Sequence, residues 1–156
     1  MELSLADLYR RMDNMIRFGT IAEVKHDKTP QVRVQAGKLL SNWLPLKTAQ
    51  AGKTRTWTPP AIGEQCTILS PSGDMSAGMV MPGINCKNFL APEDDQHSNS
   101  TEFEDGARIS YNSESHHYQI SLPAAGKLTL TVGATTLELS NEGTRLITPR
   151  FEGVQA

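Results

Sequence analysis

Four sets of side chains in this 156-residue chain could do chemistry. His116 and His117 invite a metal ion, because imidazole is a common ligand for zinc and its neighbours in the periodic table. Adjacent residues of a strand point to opposite faces, however, so one chain cannot aim both rings at one ion. They read as edge or surface histidines. Glu93, Asp94 and Asp95 could hold a cation, but ion sites need oxygens converging from several directions, and three successive carboxylates in a polar stretch read as solvated. Ser72, in Pro-Ser-Gly-Asp, has the company of a turn residue and not of a nucleophile. Lys53, Arg55 and Trp57, together with Arg33, Lys38 and Trp43, make a basic and aromatic set that could grip single-stranded nucleic acid. Against that, residues 1–92 carry 11 Lys/Arg and 7 Asp/Glu, a modest excess, and residues 93–156 carry 4 against 10, which would repel a polyanion. The tryptophans then read as core or interface anchors. Gly-x-Ser-x-Gly, the phosphate loop and Gly-x-Gly-x-x-Gly do not occur in the sequence. The chain is expected not to be an enzyme, and to use no cofactor.

The elements that would position these groups come in two kinds. Residues 2–17 are expected to be helical: Ser4 and Asp7 resemble a capping box, Leu5, Leu8, Met12, Met15 and Ile16 share one helical face, and Gly19 could stop the helix. Strands are expected at residues 18–24, 32–35, 43–47, 64–69 and 77–81, separated by turns rich in Gly and Pro. Five short strands after one helix suggest a small closed barrel of the oligonucleotide/oligosaccharide-binding (OB) type over residues 18–90. Residues 91–100, acidic and opened by Pro92, read as a linker. Cys66 and Cys86 are expected to be reduced, since two cysteines without a Cys-x-x-Cys make neither a disulfide framework nor a zinc site. The N-terminus has no signal peptide pattern, so synthesis and assembly are expected in a cytoplasm.

Residues 101–156 read as short alternating strands. Ala107, Ile109 and Tyr111 share one face; Tyr118, Ile120 and Leu122, then Leu128, Leu130 and Val132, then Leu137 and Leu139, do the same. Four strands with so few apolar side chains, and no helix to cover them, cannot make an independent two-layer domain. Each buried Leu or Ile contributes roughly 1.5–3 kcal/mol if another copy supplies the opposing wall. This half is therefore expected to fold only as an oligomer, most simply three copies closing a prism with each strand hydrogen-bonded between chains. Ile109, Tyr111, Ile120, Leu122, Leu128, Leu130, Val132, Leu137 and Leu139 are expected to line its core.

NMIRFGTIAEV, RVQAGKLLSNWLPL and AGKTRTWTPPAIGEQCTILSPSGDMSAGMVMPGI, covering residues 14–84, resemble the baseplate assembly protein V family of contractile-tailed phages. FEDGARISYNSESHHYQISLPAAGKLTLTV resembles that family's transition into its spike. The resemblance implies a mainly β homotrimer: an OB-fold collar that docks on the baseplate hub, followed by an intertwined triple-stranded β-helix. It also implies a place in the virion, at the tail baseplate, and a needle that meets and pierces the host outer membrane. Family members run on to an apex where a His-x-His pair from each chain binds iron. No His-x-His occurs here, and His116-His117 has the wrong spacing and lies too early, so no metal is expected. The chain reads as cut before the tip, since Phe151 and Val154 look like the start of another strand; a naturally blunt spike is the alternative. Two other functions bear weighing: an OB-type single-stranded nucleic-acid-binding module with an oligomerising tail, and a cell-wall hydrolase attached to a spike, for which the chain has neither room nor motif.

Overall fold

The computed structural model describes residues 4–154, which fall into two compact units that divide between Leu90 and Ala91. In the first unit, helix α1 spans Leu5–Met15. The Ser4 side chain caps it by accepting from the Asp7 amide at 3.2 Å, and Asp7, favoured near the positive end of the helix, pairs with Arg10 at 3.3 Å. The helix stops earlier than expected and without a glycine: Ile16 is already extended (φ −135°, ψ 120°) and opens strand β1, Ile16–Lys25. Residues 2 and 3 of the expected helix lie outside the described residues. Gly19 sits inside β1, where a Cβ would lie 2.5 Å from Val34 Cγ1 and 2.6 Å from the Gln35 carbonyl oxygen. It permits close approach of two strands and stops nothing.

Strands β2 (Gln31–Ala36), β3 (Leu39–Leu40), β4 (Leu44–Pro45), β5 (Gln65–Leu69) and β6 (Met79–Ile84) complete the first unit. They form one antiparallel sheet in the order β3-β2-β1-β5-β6, with β4 paired to β2. The strand expected over residues 43–47 shrinks to two residues because Pro45 has no amide to donate. Ala77, expected in a strand, lies in a 3₁₀ turn. Bulges between Ile21 and Glu23 and between Gln65 and Thr67 bend the sheet around a core of Ile21, Val32, Val34, Leu44, Cys66, Ile68 and Val80, all essentially free of solvent. The alternation of Val32, Val34 and Ala36 and of Cys66 and Ile68 supplies that core from one face only. The expected closed barrel is corrected to a curled, unclosed sheet. Its nearest approach to closure is a bridge of Leu46 with Val80, where the Lys47 amide donates to the Val80 carbonyl at 2.8 Å.

Two contacts fasten α1 to this sheet. The Ser70 amide donates to the Met15 carbonyl at 2.8 Å, and Gly73 (φ 73°) packs so closely that a Cβ would stand 2.1 Å from the Arg11 carbonyl oxygen. The Pro-Ser-Gly-Asp segment is therefore a 3₁₀ turn that holds the helix.

The second unit contains β7 (Ser98–Glu102), β8 (Arg108–Asn112), β9 (His117–Ser121), β10 (Lys127–Val132), β11 (Thr135–Ser140) and β12 (Gly143–Ile147). They form two antiparallel three-stranded sheets, β7-β8-β9 and β10-β11-β12. β7 takes residues 98–100 from the expected linker, and β12 is a further strand. Pairing expected between chains occurs within the chain, strand against sequential strand, through short turns. Phe151 and Val154 lie in no strand.

Candidate functional site

The side chains that could have done chemistry are occupied or dispersed. Arg33 donates through Nε to the Ser41 carbonyl at 2.9 Å, pairs with Glu23 at 3.1 Å and stacks over Trp43 at 5.9 Å. It is a brace between β1, β2 and the loop before β4. Trp57 sits edge-on to His26 at 6.4 Å, while Lys38, Lys53 and Arg55 project into solvent with no partner among the described residues. The set does not converge on one groove. Glu93 pairs with Arg108. Asp95 accepts from Ser98 Oγ at 2.7 Å, the His97 amide at 3.2 Å and Asn112 Nδ2 at 3.1 Å, and these hydrogen bonds, the Ser98 one foremost, hold its carboxyl below the usual range. Two of the three acidic residues thus tie the start of β7 to β8. His116 (φ 54°) is a turn residue and His117 opens β9, both exposed. No disulfide links the cysteines: Cys66 is buried, which pushes its thiol up to about 11 with help from Glu64, and Cys86 is half-buried.

What the second unit does concentrate is apolar surface. Register places Ile109 opposite Ile120 and Tyr111 opposite Tyr118 on one face of the first sheet, with the two tyrosine rings 6.3 Å apart. The second sheet sets Leu128 opposite Leu139 and Leu130 opposite Leu137, with Val132 on the same face beyond them. The opposite faces carry Arg108, Ser110 and Gln119 in one sheet and Lys127, Thr129, Thr131 and Glu138 in the other. Lys127 and Glu138 pair there at 3.2 Å. Ile120, Leu122, Leu128 and Leu139 also line a cavity of about 280 Å³.

These apolar faces are only partly covered among the described residues. Ala107 is the only buried apolar residue of this unit among those described, while Leu130 is 55% and Val132 82% exposed, and Tyr111, Ile120, Leu122 and Leu139 are each about two-fifths exposed. Ile109, Leu128 and Leu137 are half-buried. Leu146 of β12, paired with Leu137 and 45% exposed, belongs to the same face and was not anticipated. Its strand, GTRLI, offers too little alternation to be recognised.

Two comparisons bear on this arrangement. The family model for the type VI secretion system/phage-baseplate injector OB domain matches residues 17–84, the span from β1 to the end of β6. The chain is 34% identical over 147 residues to the Spike protein of Escherichia phage P2, a match that covers 90% of this chain and 69% of that one. That second match extends beyond the OB domain into the sheets whose apolar faces lie open. The chain belongs to the phage-baseplate spike family: a mainly β, structural component of the virion tail, and not an enzyme.

Proposed function

We propose that three copies of the chain assemble as the central spike of a contractile tail baseplate, with the OB unit as the collar that docks on the hub and the strand unit as the start of a triple-stranded β-helix. Ile109, Tyr111, Ile120, Leu122, Leu128, Leu130, Val132, Leu137 and Leu139 form the trimer core. The observation that carries this reading is the only partly covered apolar face of the strand unit: a sheet with Leu130 and Val132 mostly in water lacks a full wall to pack on, and a second and third copy supply it. Because strand ladders close within each chain, the copies meet through side-chain faces and through the outer edges of β7, β9, β10 and β12. In the assembled tail the needle is driven through the host outer membrane, as the family resemblance implies, and the chain assembles in the host cytoplasm. Coexpression with the hub protein of the same tail tests the docking: the two should copurify, and the OB unit's exposed surface should be protected from exchange in the complex. If the chain instead binds single-stranded DNA with a steep salt dependence and ignores the hub, the nucleic-acid reading replaces this one.

A further inference from the structure

Helix α1 is fastened through its backbone, and its apolar side chains stay about half exposed or more. Its fastening runs through the Met15 and Arg11 carbonyls, and no residue of the helix is buried. Leu5 is 66%, Leu8 48%, Met12 56% and Met15 46% exposed. These four stand at intervals of three, four and three, which are the a and d positions of two successive heptads, with Tyr9 at the e position beside them. A seam of a, d and e residues is the three-in-seven face that helices of a bundle turn toward a common core.

We infer that the α1 helices of three copies pack against one another in parallel as a short three-helix bundle, a second self-association surface of the collar. This rests on the proposed trimer. Eleven residues make a helix too short to hold together or to bind tightly alone. Copies tethered by the strand unit, however, meet at an effective concentration on the order of millimolar. A seam related to itself by rotation closes into a ring without a second kind of surface. The seam is also uncharged: Asp7, Arg10, Arg11 and Asp13 fall outside it, so nothing charged is buried when the helices meet.

Cysteine cross-linking in the full chain tests this. With Cys86→Ser as background and the buried Cys66 retained, Leu8→Cys places a thiol in the seam, and Arg10→Cys places one on the outer face of the same turn. Mild oxidation should join Leu8→Cys subunits at least tenfold faster than Arg10→Cys subunits. A trimer by mass in which both variants cross-link equally, or neither does, overturns the helix bundle and leaves the spike reading standing. A monomer by mass overturns both.

Discussion

Replacing Leu130 by aspartate separates an exposed strand residue from a core residue. In one chain Leu130 is 55% exposed and lies on β10 opposite Leu137. If nothing else covers it, the substitution is that of a half-exposed side chain and costs about 1 kcal/mol or less. If two further copies cover it, the lost burial is about half of the roughly 1.5–3 kcal/mol for a whole leucine, in each chain. To this is added a carboxylate stripped of water, at several kcal/mol per ion, three times around one axis. That sum, on the order of 10–20 kcal/mol for the trimer, is as large as the roughly 5–15 kcal/mol by which an ordinary domain is stable. Sedimentation equilibrium with urea unfolding reads the difference. Leu130→Asp should fail to trimerise, while Thr131→Asp, on the opposite face, should leave mass and midpoint unchanged. A Leu130→Asp trimer with the midpoint of the natural chain would refute the assignment of this face to the core.

Three further outcomes are expected. Leu44→Ala empties a fully buried site in the OB unit and should cost about 2–5 kcal/mol by urea unfolding. Gly73→Ala drives a Cβ into the Arg11 carbonyl at a positive φ, so the far-ultraviolet helix signal should fall while the sheet signal persists. Asp95 has a folded pKa below its unfolded value, so its contribution is in place at neutral pH and fades as the pH falls below about 4; Asp95→Asn should flatten that acid limb in a thermal melt series.

Much of the OB unit was legible because its strands alternate cleanly. Val32, Val34 and Ala36, and Cys66 and Ile68, announce one buried face each, and β1, β2 and β5 fall within two residues of their expected bounds. Punctuation misled where one residue type serves two purposes. Gly19 could end a helix or let two strands touch, and only the position of Val34 decides. Polar strands were invisible: Ser98–Glu102 has no apolar side chain and is held by ladder hydrogen bonds and the Asp95 turn. The apolar residues of the second unit were legible as a shared face. The sequence did not show that their hydrogen-bond partners lie in the same chain, since alternation reports which side a residue faces and not which strand lies beside it.

The absolute mass of the whole chain in solution, by light scattering on a sizing column, tests the central claim most directly. The proposed assembly requires a single species at about three times the 17.1 kDa protomer, unchanged on dilution to nanomolar concentration. A monomer that keeps its strand signal and unfolds cooperatively would contradict it, because the faces carrying Leu130 and Val132 would then be stable in water.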